Sequence, residues 1–289
     1  MAESIAIATD TNSGIMQDEA ERLGVFVVPM PFVVDGEECF EGVNLDAEGF
    51  YARQVAGADI VTSQPSIVDL GQRWRELLET HDKVVYIPMS SGLSGSFTTA
   101  NTLADVFGGR VLVADNQRIS VTQREAVLDA LQWVAEGRTA AETVALLEDA
   151  KLDASIYIMV DTLDYLRKGG RITPAVASIG SLLKIKPVLQ IQGDKLDAFS
   201  VSKSFKAAKR TMLRALAIDV ESRFGGVGNV HLYVAHTNRD ADAAAFADEV
   251  RTHFGSDDVY VDRLPLSIAC HVGPGALGIG CAKRQFASR

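Results

Sequence analysis

The sequence contains little of what builds disulfide-linked, metal-binding or membrane-spanning proteins. Its three cysteines among 289 residues form no C-x-x-C pair, and its five histidines show no metal-ligand spacing. We therefore expect neither a disulfide framework nor a metal site, and no cofactor. No apolar run reaches the roughly 18 residues that a membrane span requires. The nucleotide-phosphate motif G-x-x-x-x-G-K-[ST] is also missing from the sequence.

The charge of the chain is negative and unevenly distributed. The formal net charge of −10 argues against nucleic acid as a partner. Residues 1–160 hold 10 Lys and Arg against 25 Asp and Glu, whereas residues 161–289 hold 18 against 13. Two domains with different surfaces explain this, and a basic face that meets an anionic partner is the alternative. The first residues, MAESIAIATD, lack a basic stretch and a long apolar stretch, so we expect no signal peptide and a cytoplasmic protein.

The first half of the chain alternates short apolar runs with amphipathic stretches. The apolar, β-branched runs predict buried strands at Ile5–Ala8, Val84–Pro88, Val111–Ala114 and Ile156–Val160. The other stretches predict helices at Met16–Leu23, Ser66–Leu78, Ser96–Phe107, Val121–Glu136 and Ala140–Leu152. This alternation is typical of an α/β fold in which helices cover a parallel sheet and ligands bind at loops after its strands.

The second half predicts a smaller α+β domain. Its elements are a hairpin of Pro187–Ile191 and Leu196–Val201 with Gly193-Asp194 at the turn, helices at Ser204–Phe224 and Asp240–Phe254, and strands at Val230–Ala235 and Val259–Leu264. We therefore expect two domains, an α/β domain over residues 1–160 and an α+β domain over residues 161–289.

Two hydroxyl-rich segments precede predicted helices. Thr62–Ser66 is explained by a helix cap, with Ser63 or Gln64 as the capping residue. Ser90–Ser96 follows a predicted strand and opens a helix, where backbone N–H groups attract anions and glycine permits close approach. A carboxylate or phosphate site and a simple capped turn both fit this second segment.

The nucleophile and dinucleotide motifs are incomplete. Ser94 has another serine, Ser96, where a hydrolase elbow has its final glycine. Cys270 and His271 are adjacent, and on a strand they would point to opposite faces, so we expect no dyad. Gly273–Gly278 matches G-x-G-x-x-G without the helix, strand and acid that should follow. We expect a tight loop that passes close to a ligand or another backbone, beside a His271 that either handles a proton or is hydrogen-bonded in the core.

Three further features each have two interpretations. The cations of Arg167–Arg171 surround a glycine pair at the expected domain boundary. Small residues within a predicted helix over Thr173–Leu189 fit either close helix packing or a tunnel for an apolar tail. One helix face carries four cations, Lys203, Lys206, Arg210 and Arg214. That face is either solvated or a docking surface for an anionic partner.

Five segments together resemble the DegV family of fatty-acid-binding proteins. In chain order they are T-S-Q-P at Thr62–Pro65, S-S-G-L-S-G-S at Ser90–Ser96, L-R-K-G-G-R-I at Leu166–Ile172, L-L-K-I-K-P-V-L at Leu182–Leu189 and H-V-G-P-G-A-L-G at His271–Gly278. They follow the family's order and extend over essentially the whole chain. The opening Thr9–Ser13, T-D-T-N-S, departs from the family's usual D-S-T.

The resemblance implies that a long-chain fatty acid is buried between two domains. It also implies that a separate ATP-dependent kinase subunit receives the carboxylate and makes the acyl phosphate. Thr62 and Ser94 match the hydroxyls that hold the carboxylate in the family. We assign Ser63, Gly95 and His271 to the same site.

The resemblance further implies cations that face the partner or its phosphate, which we assign to Arg167, Arg171 and Lys203. The chain itself is then not a catalyst, and a transient membrane contact is compatible with this role. A stand-alone enzyme, such as a serine acyl hydrolase or a small-molecule kinase, is the alternative. Release of product from an acyl ester by the purified chain would favour it. A nucleotide-binding module would need a complete fingerprint.

Overall fold

The computed structural model describes residues 3–177, 185–193 and 195–286. Within these ranges, no helix combines the length and the apolar character needed to cross a bilayer. The described residues form two compact units. The first unit comprises those of Met1–Pro31 and Ser63–Leu152, and the second comprises those of Phe32–Thr62 and Asp153–Arg289.

Strands and helices alternate along most of the described chain. The strands are β1 Ile5–Asp10, β2 Phe26–Val28, β3 Phe32–Val34, β4 Glu37–Cys39, β5 Ile60–Thr62, β6 Lys83–Ile87, β7 Val111–Val113, β8 Ala154–Met159, β9 Lys186–Ile191, β10 Leu196–Ser202, β11 Val230–His236, β12 Val259–Arg263 and β13 Leu277–Lys283. The α-helices are α1 Gln17–Leu23, α2 Ala47–Val55, α3 Ile67–Leu77, α4 Ser96–Ala104, α5 Val121–Ala135, α6 Ala140–Asp149, α7 Asp164–Lys168, α8 Pro174–Ala177, α9 Phe205–Ser222, α10 Asp240–Phe254 and α11 Leu266–Val272.

A four-stranded parallel sheet forms the centre of the first unit. Its order is β2-β1-β6-β7, and every neighbouring pair is parallel. The strands are short and apolar because helices cover them, as in the contact of Trp74 from α3 with Tyr86 from β6, whose ring centroids are 5.5 Å apart. Helix α6 begins with a capping box in which Thr139 and Glu142 satisfy each other's backbone N–H groups. The predicted α/β architecture is confirmed.

A six-stranded mixed sheet forms the main part of the second unit. Its order is β10-β9-β8-β13-β11-β12, and within it β11 and β12 are parallel while the other neighbours are antiparallel. The predicted hairpin is confirmed as β9 and β10. Helices α9 and α10 pack on this sheet through a core that includes Met212, Leu216 and Phe246, all fully buried.

Residues 32–62 contribute a small antiparallel sheet and one helix to the second unit. The sheet has the order β4-β3-β5. Helix α2 begins after Asp46, whose carboxylate accepts the backbone N–H of Gly49 at 2.8 Å. These elements share an apolar cluster with α11 that includes Phe32 and Phe50. No element was predicted in this segment: its strands have only three residues each, and the N-cap signal of α2 was missed.

The two units do not follow the predicted boundary at residue 160. Strand β8 ends at Met159, yet it pairs with β9 and β13 and therefore belongs to the second sheet. The segment Phe32–Thr62 also belongs to the second unit. The second unit is consequently the larger of the two, whereas the sequence predicts it to be the smaller.

Two local predictions are wrong. Within the predicted helix over Thr173–Leu189, helix is described only at Pro174–Ala177, and its end is part of strand β9. Residues 178–184 of that stretch lie outside the described residues, as does Asp194 of the predicted hairpin turn. Cys270 and His271 lie on helix α11 and not on a strand. A short apolar run fits either element, so its periodicity did not distinguish them.

Candidate functional site

A hydrogen bond joins Thr62 and His271 in the second unit. Thr62 is the last residue of β5, and His271 lies in the last turn of α11. The Thr62 Oγ1 atom is 3.0 Å from the His271 Nε2 atom, although 209 positions separate the two residues in the chain. The structure therefore brings together two of the predicted carboxylate-binding residues.

Two further hydrogen bonds hold α11 against the 32–62 segment. The Glu41 carboxylate accepts the backbone N–H of Leu266 at 2.7 Å, at the beginning of the helix. The Gln54 side-chain amide donates to the Ala269 carbonyl at 3.0 Å. Together with the histidine bond, these contacts fix the helix at its start, its middle and its end. The orientation of the imidazole is thus set by residues far away in the sequence.

The hydrogen-bonded pair lines a cavity of about 140 Å³ within the second unit, whose other walls include Gln54, Tyr165 and Arg171. Small-molecule pockets typically measure roughly 300–1,000 Å³, so this cavity suits a small polar group and not a long tail. Gln54 is 3% exposed, and its Oε1 atom is buried without a hydrogen-bond partner. The Nδ1 atom of His271 is buried without a partner as well. Two polar atoms are thus unsatisfied beside the cavity.

Gly169 gives the imidazole the space it occupies. A Cβ atom at this position would lie 2.1 Å from the His271 Nδ1 atom. Its backbone, with φ of −76°, is one that any residue adopts, so the requirement for glycine comes from the ring and not from the backbone. Of the glycine pair in the basic segment, Gly169 is therefore required because it leaves space for the His271 ring.

The electrostatic surroundings keep His271 neutral. Burial, with a smaller contribution from the positive charge of Arg171, lowers its pKa to about 4. A neutral imidazole carries one proton, and a buried N–H without an acceptor costs more than a buried lone pair without a donor. We therefore place the proton on Nε2, where it donates to Thr62 Oγ1. The Thr62 hydroxyl proton is then free to donate to a bound anion.

The three predicted partner-facing cations occupy different surroundings. Arg171 is exposed, lines the cavity and donates to the Gly169 carbonyl at 2.7 Å. Arg167 forms an ion pair with Asp164 at 3.2 Å. Lys203 is exposed and precedes the N-cap residue of α9. Of the three, only Arg171 is among the described residues that line the cavity.

The loop after α11 passes close to a side chain. Gly275 has a φ of +86°, and a Cβ atom there would lie 2.5 Å from the Asp161 Oδ2 atom. Asp161 in turn forms ion pairs with Lys186 at 2.7 Å and with Arg239 at 2.9 Å. The predicted tight loop is confirmed: at Gly275 its close neighbour is a paired carboxylate, and at Gly278 a Cβ atom would lie 3.3 Å from the backbone oxygen of Tyr157. This packing anchors the chain just beyond His271.

The hydroxyl-rich loop Ser90–Ser96 lies in the first unit. The Ser94 backbone N–H donates to the Ser90 carbonyl at 3.1 Å. The Ser94 hydroxyl accepts the Ser96 N–H at 3.1 Å and lies 2.8 Å from the Ser96 hydroxyl. Gly95 is exposed, and a Cβ atom on it would lie 2.5 Å from the Gln64 side-chain nitrogen. The two hydroxyl-rich segments therefore meet through Gln64 and Gly95.

Ser63 is the residue at which the chain re-enters the first unit after the 32–62 segment. It is exposed, and its backbone N–H donates to the Pro31 carbonyl at 3.3 Å. The predicted capping role of Ser63 or Gln64 is wrong, because Ser66 caps α3 and accepts the Asp69 N–H. The predicted carboxylate-binding residues thus divide into Thr62 and His271 in the second unit and Ser63, Ser94 and Gly95 in the first.

The Cys270 thiol beside His271 is not activated as a nucleophile. Cys270 and His271 are successive residues of a helix and are therefore separated by about 100° around its axis. Burial raises the pKa of the Cys270 thiol to about 12, so the thiol stays protonated at neutral pH. Across the described ranges, no group of three His, Cys, Asp or Glu side chains could hold a metal ion.

Two residues that shape the site, Glu41 and Gln54, were not predicted from the sequence. Gln54 lies on α2, and the signal for this helix was Asp46 as an N-cap before apolar residues at helical spacing. Glu41 follows the short strand β4 and lies in no helix or strand, so periodicity carries no signal for it.

The chain is similar to known proteins along nearly its whole length. Residues 4–284 match the family described as "Uncharacterised protein, DegV family". A DegV domain-containing protein of Deinococcus radiodurans is 34% identical over 277 residues, which cover 96% of this chain and 97% of that protein.

Two solved structures are also similar. A DegV family protein from Thermus thermophilus, described by its fatty acid binding, is 32% identical, with a TM-score of 0.88 over 97% of this chain and 100% of the other. DegV from Bacillus subtilis, described as a fatty acid binding protein, is 29% identical, with a TM-score of 0.86 over 98% and 100% of the two chains. The fold, the motifs and the length of these matches agree, and this chain belongs to the DegV family.

Proposed function

We propose that this protein binds one long-chain fatty acid and presents its carboxylate to a separate ATP-dependent kinase subunit, which forms the acyl phosphate. In this proposal the protein is a cytoplasmic carrier and catalyses no step itself. The observation that carries it is the Thr62–His271 pair beside a small polar cavity. Support comes from family members of Thermus thermophilus and Bacillus subtilis that are described as fatty-acid-binding.

The proposed head-group site uses neutral donors. We assign the carboxylate to the Thr62 and Ser94 hydroxyls, with Ser63, Gly95 and His271 beside them. With the His271 proton on Nε2, the imidazole donates to the Thr62 hydroxyl oxygen, and the hydroxyl proton is directed to the ligand. Neutral hydroxyls hold a carboxylate less firmly than the bidentate guanidinium of arginine does. One carboxylate oxygen would then stay available to attack a phosphate.

Most of the proposed affinity comes from the tail. Burying a methylene group contributes about 0.8 kcal/mol. A tail of roughly 16 carbons therefore contributes on the order of 12 kcal/mol before the costs of association. A single hydrogen bond to a charged group contributes about 1.5–3 kcal/mol. Removing one hydroxyl should consequently disturb the orientation of the head group far more than the retention of the ligand.

The cations Arg167, Arg171 and Lys203 are proposed to face the kinase subunit or the phosphate that it transfers. Arg171 has the best-supported position, because it lines the cavity beside His271. Replacing Arg171 by alanine should lower acyl-phosphate formation more than replacing Lys203, which is exposed and does not contribute to that wall. Equal losses for both variants would argue for a diffuse electrostatic role.

The first test identifies the ligand. Protein purified without added lipid is analysed by native mass spectrometry, and its organic extract is analysed separately. We expect one fatty acid per chain. Recovery of a nucleotide or a sugar, or a chain that neither carries nor takes up a fatty acid, would contradict the proposal. Release of product from an acyl ester by the purified chain alone would favour a hydrolase instead.

The second test separates tail retention from head-group orientation. Thr62→Val removes the hydroxyl at nearly constant shape, and Thr62→Ser keeps it and serves as the matched control. We expect Thr62→Val to retain fatty acid but to form acyl phosphate at least about tenfold more slowly with the kinase subunit, as expected for one lost hydrogen bond to a charged group. Thr62→Ser should stay within about twofold of the wild type. Unchanged turnover in Thr62→Val would remove Thr62 from the proposed site.

A further inference from the structure

Asp10 is a fully buried carboxylate at the carboxyl end of the parallel sheet in the first unit. It is the last residue of β1, and its exposed fraction is 0%. Buried ionised groups are strongly destabilising unless they are paired or hydrogen-bonded, so such a residue needs a role. Neither the cavity nor the proposed head-group site includes it.

The carboxylate of Asp10 accepts hydrogen bonds on both of its oxygen atoms. Its Oδ2 atom accepts the backbone N–H of Met89 at 2.9 Å. Its Oδ1 atom accepts the backbone N–H of Asn12 at 3.0 Å and the side-chain amide of Gln123 at 3.2 Å. Donors on both oxygens fit an ionised carboxylate, which has lone pairs only. Burial raises the pKa of Asp10, and these hydrogen bonds act in the opposite direction.

Met89 is the residue that leads into the hydroxyl-rich loop. Ser90, which follows it, is 1% exposed and donates its backbone N–H to the Arg118 carbonyl at 2.8 Å. The Ser90 carbonyl accepts the backbone N–H of Ser94 at 3.1 Å. A continuous path of hydrogen bonds and two peptide units thus runs from Asp10 to the backbone of Ser94.

We propose that Asp10 is a positioning residue, which holds the Ser90–Ser96 loop in the conformation that allows Ser94 to bind a carboxylate. This inference rests on the proposed function, because it explains how the first unit contributes to head-group binding. Asp10 acts through the Met89 backbone and does not contact the ligand. In Asp10→Asn, an amide NH₂ group would oppose either Met89 or the two donors on the Oδ1 side, so one side of the link loses its acceptor.

The test is a ratio of two affinities measured on delipidated, full-length protein. One ligand is a long-chain fatty acid, and the other is its methyl ester, which has the same tail and no carboxylate. Asp10→Asn should lower the acid-to-ester ratio by about tenfold, the effect of one hydrogen bond to a charged group. Ser94→Ala should lower the ratio similarly. Leu147→Ala, which truncates a buried side chain on α6, should reduce stability and leave the ratio at the wild-type value.

Amide hydrogen exchange without ligand provides the second readout. Exchange at Met89 and Ser94 should accelerate in Asp10→Asn and stay at the wild-type rate in Leu147→Ala. If Asp10→Asn does not fold, Gln123→Met takes its place. This variant removes one of the hydrogen bonds to Asp10, along with those of the same amide to Thr9 and Ile87, and the ratio should fall by about threefold.

The two possible failures are distinguishable. A wild-type ratio near one overturns the proposed function and, with it, this role of Asp10. A wild-type preference for the acid that Ser94→Ala abolishes but Asp10→Asn fully retains, with unchanged exchange at Met89, overturns the inference on Asp10 alone.

Discussion

Replacing Gly169 by alanine tests the position of the His271 ring. The new Cβ atom would lie 2.1 Å from Nδ1, 2.8 Å from Cε1 and 3.3 Å from Cγ of the imidazole. Such distances are too short for a Cβ atom, so the ring must move and its 3.0 Å bond to Thr62 is strained or lost. Overpacking together with the loss of one hydrogen bond predicts a fall in the free energy of unfolding of about 1–3 kcal/mol.

The effect of Gly169→Ala on the free energy of unfolding should change sign once the imidazole is removed. Gly169 has φ of −76° and ψ of −8°, a conformation that alanine adopts without strain. In a His271→Ala background, Gly169→Ala should therefore be neutral or stabilise the protein by about 0.4–1 kcal/mol, because alanine restricts the unfolded chain more than glycine does. A clash with the imidazole predicts such a reversal, because the three nearest atoms to the new Cβ atom all belong to the His271 ring.

The assay is urea denaturation of the four proteins of this double-mutant cycle at pH 7. Gly170→Ala is the matched control, because Gly170 has φ of +68° and no atom within 4 Å of its ideal Cβ position. Its cost of about 1 kcal/mol should come from backbone strain and be equal in both backgrounds. Equal losses for Gly169→Ala in both backgrounds would refute the described position of His271.

Three further predictions concern pH and packing. Burial raises the pKa of Glu41 to about 7, so its contribution to stability is complete below the ordinary value of 4.5 and is lost as the pH rises through 7. Between pH 5 and pH 9, the free energy of unfolding measured by urea denaturation should fall by up to about 3 kcal/mol less in Glu41→Gln than in the wild type. The contribution of His271 to stability depends on pH in the opposite direction: burial lowers its pKa to about 4, so the contribution is present above pH 6.5 and is lost as the pH falls toward 4. His271→Gln should therefore reduce the loss of stability at acid pH by up to about 3 kcal/mol in urea denaturation. An unchanged loss at acid pH would contradict the burial of the ring. Met212→Ala on α9 should cost about 2–5 kcal/mol because Met212 is fully buried, whereas Ile218→Ala on the same helix should stay within about 0.5 kcal/mol because Ile218 is 60% exposed; similar thermal shifts for both would contradict the described face of α9.

The elements with strong local patterns were predicted well from the sequence. Helix α10 has the predicted bounds, Asp240–Phe254. Three of the four parallel strands of the first unit, β1, β6 and β7, lie at predicted apolar runs, whereas β2 was not predicted. Long amphipathic helices and β-branched runs repeat their signal over many residues. The segment Phe32–Thr62 offers strands of three residues, too short for a period of two to emerge.

The candidate site residues were proposed one by one, but their arrangement in space was not predicted. Thr62 and His271 were each assigned to carboxylate binding, yet their direct hydrogen bond depends on a pairing across 209 positions. His271 lies on a helix, so its side chain is about 100° from that of Cys270 around the helix axis and not on the opposite face of a strand. Gln54 and Glu41 carry no local motif, because their roles arise only when α11 packs beside them.

The route of the chain has a consequence for synthesis on the ribosome. All of the first unit is encoded before Asp153, so it has its complete set of strands and helices while the ribosome still holds the remainder. The stretch from Phe32 to Thr62 cannot complete its packing at that stage, because helix α11, on which it packs, is among the last parts to emerge. A nascent chain therefore carries an unpartnered apolar loop with Phe32 and Phe50 for most of translation, and chaperone capture should be strongest there.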